Sequence, residues 1–298
     1  MRIVIALGGN ALLPKGIRGT AEEQLNAAKK VVAKVEHILK ENEVVLTHGN
    51  GPQVGNMLIQ QQATKEVAPM PLDVLDSMTQ GQIGYFIASA ISLTGLHSAT
   101  LITRVVVDPH DAAFKNPTKP IGPFYEAPPA NANQQPGTAY RMDAGRGYRL
   151  FVASPEPVKI REHDAISALL EHNFVVIAVG GGGVPIKKSG EGLEAVIDKD
   201  KATSLIASQI NADILVFVTS VDAVYLDFGK KTQKAIRKMT VSEAKKHISA
   251  GHFAEGSMKP KVESVVRFLE KGGKKALICS IDNINEALEE KAGTMITR

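Results

Sequence analysis

The chain has 298 residues, of which 44% are hydrophobic and 22% charged, with one cysteine; a chain of this size buries a core without disulfide or metal staples. Cys279 can form no internal disulfide and sits in the apolar run after Ala276-Leu277-Ile278, so it reads as a small buried residue in a reducing compartment, the cytoplasm. The net charge of +4 is spread over scattered lysine pairs, with no Trp and only 5% aromatics, which speaks against nucleic acid, and no apolar run approaches the roughly 20 residues that cross a bilayer.

Residues 3–7 are apolar without alternation, too short for a signal peptide, and predict a strand buried on both faces. Leu25, Ala28, Val32, Val35 and Leu39 recur at steps of three and four, one face of a helix. A strand is expected over 43–47, then a glycine turn and a second helical pattern. A long helix over 72–93 leads to a strand over 100–107. Further strands are expected over 174–179, 214–219 and 275–280, each with helical patterns nearby. Such alternation predicts an α/β fold, an open, mainly parallel sheet sandwiched between helices. Residues 108–150 break the rhythm, with prolines at 109, 117, 120, 123, 128, 129 and 136. A loop this long in a compact domain is functional or disordered. Its aromatic and glycine residues favour an ordered insertion, so the expectation is one domain over 1–298 with a small protruding lid over 108–150.

Three glycine-rich elements follow predicted strands: Gly8-Gly9-Asn10, Gly49-Asn50-Gly51 and Gly180-Gly181-Gly182-Gly183. In an open α/β sheet such turns form the ligand crevice, where backbone N–H groups and helix N-termini meet anions. A single one could be a tight turn; three in equivalent places point to an anionic ligand. Residues 182–189 approximate a P-loop, but Lys187 stands where the second glycine belongs and Pro185 removes a donor. Residues 49–55 approximate a dinucleotide fingerprint, but the third glycine comes one position late. Asp73 and Asp76, near the distance where that motif needs an acid, lie in helical sequence, which leaves a nicotinamide-dependent oxidoreductase a distant alternative. Phosphoryl transfer needs positive charge. Lys199 lies in Val196-Ile197-Asp198-Lys199-Asp200, and Lys261 in Gly256-Ser257-Met258-Lys259-Pro260-Lys261, both where helical patterns begin. Lys119 lies in Asn116-Pro117-Thr118-Lys119-Pro120. Taken singly, these fit a surface ion pair, a solvated helix lysine and an exposed loop lysine. Ser220, Asp222 and Tyr225 follow the strand over 214–219 and either make a turn or edge a nucleotide pocket. His48 reads as a structural histidine more readily than as a catalytic base.

In this order the elements resemble the amino-acid-kinase superfamily and, within it, the carbamate kinase family, over residues 3–297. The most specific pieces are Ala6-Leu7-Gly8-Gly9-Asn10-Ala11-Leu12, Thr47-His48-Gly49-Asn50-Gly51-Pro52-Gln53-Val54-Gly55 and Asn116-Pro117-Thr118-Lys119-Pro120-Ile121-Gly122-Pro123-Phe124-Tyr125. Acetylglutamate and aspartate kinases typically carry a lysine in the first loop, where this chain has Asn10. The resemblance implies reversible phosphoryl transfer between ATP and carbamate, giving ADP and carbamoyl phosphate. It implies ATP/ADP and a Mg²⁺ ion that arrives with the nucleotide, small-molecule partners only, a homodimer, and ATP formation in arginine catabolism. By motif it implies that Gly8, Gly9 and Asn10 face the phosphoryl group, and that Gly49, Asn50 and Gly51 hold the carbamoyl end. Gly180, Gly181 and Gly182 join the phosphate-binding set. Lys199 and Lys261 neutralise the transferring group, Asp200 orients them, and Lys119 reaches the substrate. Ser220, Asp222, Tyr225 and Met258 lie near the nucleotide. Residues 1–200 form an acyl-substrate lobe and 201–298 a nucleotide lobe. Residues 127–138, and Leu150, Phe151 and Ala153, depart from the family's pattern. The runner-up is another small-carboxylate or phosphate kinase of the superfamily. Against a non-catalytic binding module stand Lys199, Asp200 and Lys261.

Overall fold

A computed structural model describes residues 1–8, 12, 13, 16, 18–128, 138–143, 145–254 and 256–298. Strand β1 (Arg2–Leu7) is followed by helix α1 (Ala21–Glu41), which starts at a reciprocal cap between Thr20 and Glu23 and buries Ala28, Val32, Val35 and Leu39. Next come β2 (Glu43–His48), α2 (Gly51–Gln62), α3 (Leu72–Ser92), β3 (Ser98–Thr100) and β4 (Arg104–Val107). The middle of the chain holds β5 (Lys119–Tyr125), β6 (Thr138–Met142), β7 (Tyr148–Val152), β8 (Pro157–Ile160), α4 (His163–Glu171), β9 (Val175–Ile177) and β10 (Val184–Ile186). Helix α5 (Lys199–Gln209) leads to β11 (Ile214–Thr219), β12 (Val224–Leu226), β13 (Lys234–Ile236), β14 (Lys238–Thr240) and α6 (Val241–Ser249). The chain ends with α7 (Met258–Glu270), β15 (Lys275–Ser280), α8 (Ile284–Leu288) and β16 (Thr294–Thr297).

The main sheet has eight strands in the order β14-β16-β15-β11-β1-β2-β9-β3. Its pairings are parallel except β15 with β16. Both faces are covered, which is why β1 shows no alternation: Val4 and Ala6 join one core cluster, Ile3, Ile5 and Leu7 the other. The open α/β sheet sandwiched between helices is thus as expected.

Two expectations change. The single strand over 100–107 is two strands in different sheets. The chain leaves the main sheet at Thr103, whose N–H donates to Gln80 Oε1 at 2.7 Å and whose hydroxyl oxygen accepts from Val179 N–H at 2.9 Å. These side-chain bonds satisfy the backbone where the ladder stops, and β4 then pairs with β10 and β8. The insertion, read as aperiodic, contains a three-stranded antiparallel sheet in the order β5-β7-β6. Its prolines Pro120 and Pro123 lie in the edge strand β5, where a missing ladder donor is tolerated. Ile121 and Val152 of this sheet pack with Val54, Leu72, Leu75 and Val196 of the body. Among the described residues no helix is long and apolar enough to cross a membrane.

Candidate active site

Because β1, β2, β9 and β11 run parallel, their carboxyl ends share one edge of the sheet, where crevices of such folds lie. The first turn of α5 is the organising piece. Asp198 caps it, one carboxylate oxygen accepting from the N–H groups of Asp200 at 2.9 Å and Lys201 at 3.3 Å. Its other oxygen takes Lys119 Nζ at 2.9 Å, which ties the insertion to the body. Asp200 is 4% exposed and holds Lys199 Nζ at 2.7 Å on one oxygen and Lys261 Nζ at 2.9 Å on the other. The Lys199 and Lys261 side chains are 19% and 13% exposed, so neither is a solvated surface lysine. Lys119, Lys199, Asp200 and Lys261, with Gly49, Asn50 and Gly51, line one cleft of about 300 Å³.

Charge in this cleft is tightly compensated. Burial works to raise the Asp198 carboxyl, but Lys119 and the helix N–H groups outweigh it and hold the group at about 2. Burial likewise opposes ionisation of Asp200, and Lys199 and Lys261 overcome it, so its carboxyl also lies below the usual range. Burial depresses Lys261 despite its bond to Asp200. His48 is fully enclosed, and burial first, then Lys199, push it down to about 4. Its Nδ1 lies 3.2 Å from the Gly49 carbonyl, so this nitrogen donates and the ring is a neutral structural histidine.

The glycine turns differ in kind. Asn50 precedes α2 without capping it. Its Nδ2 donates instead to Asp76 Oδ1 at 3.1 Å and Thr79 Oγ1 at 2.9 Å. The run after β9 is buried and begins with Val179 at φ 56, a strained angle for a β-branched residue. A Cβ at Gly180 would lie 2.4 Å from the His48 ring, one at Gly181 2.3 Å from Asn50 Nδ2, and one at Gly182 2.4 Å from the Ile197 carbonyl oxygen. Close packing therefore demands these glycines. Gly181 lines the cleft, and Gly180 and Gly182 flank it in the same buried turn, packed against His48 of β2 and the Ile197 carbonyl that leads into α5. Gly8 ends β1 on the same edge. Gly9 and Asn10 lie outside the described residues. Lys187, from the near P-loop, instead pairs with Glu191 at 2.6 Å on the surface.

Two charged cleft residues were not singled out from the sequence. Asp198 carried a usable signal, an N-cap aspartate directly before a helical pattern. Arg149 carried none. It lines the cleft from β7, held by Nε to the Gly122 carbonyl at 3.1 Å, by Nη1 to Asp143 Oδ2 at 3.1 Å, and stacked 5.1 Å over the Phe124 ring.

A second hollow of about 130 Å³ adjoins through Ser257, which lines both. Ser220, Tyr225 and Met258 line it together with Phe228 and Phe253, an apolar slot with polar edges. Asp222 is not on its wall; it accepts the Tyr225 hydroxyl and stands 4.0 Å from Arg237. Among the described residues no group of three or more His, Cys, Asp or Glu side chains is placed to hold a metal ion.

A parallel sheet that gathers lysines, a buried aspartate and two helix N-termini at one edge, beside an apolar slot, defines a phosphotransferase for a small acceptor. The comparisons name the class. The model of the amino acid kinase family matches residues 1–280. The carbamate kinase of Oenococcus oeni is 45% identical over 311 residues, covering 100% of this chain and 99% of that protein. The carbamate kinase of Thermococcus kodakarensis is 45% identical over 312 residues with the same coverage. The structure of carbamate kinase from Giardia lamblia bound to AMP-PNP matches with a TM-score of 0.91 at 39% identity, over 99% of this chain and 98% of that one. The chain belongs to the amino acid kinase family and, within it, to the carbamate kinases.

Proposed function

We propose that the protein is a carbamate kinase that interconverts ADP and carbamoyl phosphate with ATP and carbamate. The observation that carries this reading is the buried Asp200 holding Lys199 and Lys261 against the cleft that Lys119 enters from the insertion. Lys199 and Lys261 neutralise the phosphoryl group in transit, and the N-termini of α2 and α5 add positive potential. Asp200 keeps both lysines in place. Gly8, which follows β1 at the sheet edge, faces the phosphoryl group. Gly49, Asn50, Gly51 and Gly181 hold the carbamoyl end, which Lys119 reaches from the lid over residues 108–150. The carbamate oxygen is already anionic, so the reaction needs no general base, in keeping with a neutral, enclosed His48.

The nucleotide sits in the second hollow against Ser220, Tyr225 and Met258, with Asp222 steadying Tyr225. With no carboxylate cluster among the described residues to hold a metal ion, Mg²⁺ would be carried by the nucleotide's own phosphates and would supply charge neutralisation there. Residues 1–200 serve the acyl substrate and 201–298 the nucleotide. ATP formation in arginine breakdown, by a homodimer in the cytoplasm, completes the proposal. The test is ATP formation from ADP and carbamoyl phosphate, with acetyl phosphate in parallel. No ATP from carbamoyl phosphate, with turnover of another acyl phosphate, would assign the chain to a different small-carboxylate kinase.

A further inference from the structure

Carbamoyl phosphate and acetyl phosphate have nearly the same shape at the acyl carbon and differ in one group, an amine in place of a methyl. Lysines that grip phosphate and carboxylate oxygens treat the two alike. Discrimination needs an acceptor held where the amine lands. Among the described side chains on the cleft wall, the oxygen acceptors are Asn50, Asp198, Asp200 and Ser257. Both aspartates are occupied on each oxygen by a lysine or by helix N–H groups. Ser257 belongs to the nucleotide side, where it lines both hollows.

Asn50 is different. It is 4% exposed. Its Nδ2 donates to Asp76 Oδ1 at 3.1 Å and to Thr79 Oγ1 at 2.9 Å. The Thr79 hydroxyl spends its only hydrogen on the backbone carbonyl of Asp76 at 2.7 Å, so toward Asn50 it can only accept. That settles which end of the amide is nitrogen and turns Oδ1 away from α3. Among the described residues nothing donates to this Oδ1. Gly181, at φ +67, packs flat against the amide, so that a Cβ there would meet Nδ2 at 2.3 Å and Oδ1 at 2.8 Å. Burial, opposed by the bond from Asn50, raises the Asp76 carboxyl well above its usual range.

We propose that Asn50 reads the substrate's amine, its Oδ1 accepting an N–H of carbamate or carbamoyl phosphate, with Asp76 and Thr79 as positioning residues that lock the amide. The proposal rests on the carbamate kinase reading above. A site built to bond a donor discriminates against the analogue that lacks it, because its acceptor is then left unpaired.

The experiment measures kcat/KM for carbamoyl phosphate and for acetyl phosphate, with ADP saturating, in the wild type and in Asn50→Ala, Thr79→Val and Asp76→Asn. The wild type is expected to prefer carbamoyl phosphate. Asn50→Ala should shrink that preference on the order of 10- to 100-fold, the scale of one buried hydrogen bond, chiefly by losing carbamoyl phosphate turnover. Thr79→Val is nearly isosteric, frees one Nδ2 hydrogen to turn outward, and should shrink the preference by a smaller factor; it also serves if Asn50→Ala does not fold. Asp76→Asn keeps an acceptor oxygen for Asn50 and should retain most of the preference. Equal losses on both substrates in Asn50→Ala and Thr79→Val, with the ratio unchanged, would overturn the assignment as merely structural. A wild type that uses both substrates equally well overturns it too and leaves the kinase reading standing, whereas a wild type that makes no ATP from carbamoyl phosphate overturns both.

Discussion

Replacing Asp200 by Asn keeps the shape of the side chain and removes its charge. In the wild type this one carboxylate, on a residue 4% exposed, neutralises Lys199 at 2.7 Å and Lys261 at 2.9 Å. Burial already works against the Lys261 ammonium, and the Asp200 charge is its main opponent. An asparagine offers one acceptor oxygen to two ammonium groups and turns its own NH₂ toward one of them. A hydrogen bond to a charged group contributes roughly 1.5–3 kcal/mol, and stranding a buried charge costs roughly 3–5 kcal/mol. Misplacing one charge-stabilising group lowers kcat on the order of 10²–10³; with two lysines released, Asp200→Asn belongs at the upper end. Two signatures separate this from general damage. With the counter-charge gone, Lys261 gives up its proton more readily, so the alkaline fall in kcat/KM begins at lower pH than in the wild type. The double variant Lys199→Ala/Asp200→Asn loses little beyond the worse single variant, because the residues act as a unit. Coupled detection of ATP from ADP and carbamoyl phosphate across a pH series reads both. A kcat within a few-fold of wild type, or fully additive losses, would refute the reasoning.

Lys119→Ala should raise KM for carbamoyl phosphate and lower kcat while KM for ADP holds; unchanged kinetics would leave Lys119 as a mere tie between the insertion and Asp198. Asp198→Asn isolates a charge, since Asn caps a helix about as well as Asp: the folded carboxyl lies at about 2 against an ordinary 3.8, so its stabilisation is complete above 3.8, fades as pH falls toward 2, and amounts to about 2 kcal/mol. Denaturant unfolding should therefore show the wild type ahead of Asp198→Asn near neutrality and level with it near pH 2, and a gap independent of pH would contradict the ion pair's role. Tyr225→Ala should raise KM for ADP several-fold and spare carbamoyl phosphate; the reverse pattern would move the nucleotide out of the second hollow.

What could be read from the sequence was what local chemistry decides. β1 declared itself as a continuous apolar run, and α1 by its apolar spacing. The split between β3 and β4 was invisible because the Thr103 bonds to Gln80 and Val179 are tertiary. Prolines hid β5, since nothing in the sequence says which strand lies at an edge. Lys199 and Lys261 looked no different from surface lysines; what sets them apart is a shared carboxylate, and Lys261 meets it across 61 positions of sequence. Only resemblance to a family could link them beforehand. Asp76 was read as a helix residue, and so it is, but its burial and its hold on Asn50 arise from packing that helical periodicity does not encode.

The first turn of α5 shows why so short a motif carries so much of the site. Successive residues on a helix point about 100° apart, so a run of alternating charges faces several neighbours at once. Asp198 faces the insertion through Lys119, Asp200 faces α7 through Lys261, and Lys201 faces Glu156 at 2.5 Å, which Arg267 of α7 also engages. One turn therefore sets the placement of the insertion and of α7 relative to the sheet. The choice of lysine follows from the same arrangement. An ammonium carries three donors, and each of Lys119, Lys199 and Lys261 gives one to an aspartate. Two remain on each for phosphate or carboxylate oxygens, so the aspartates can hold the lysines in place without being displaced when substrate arrives. Each lysine thus has a carboxylate partner, yet three lysines and Arg149 against two aspartates leave the cleft wall net positive, which draws in an anion.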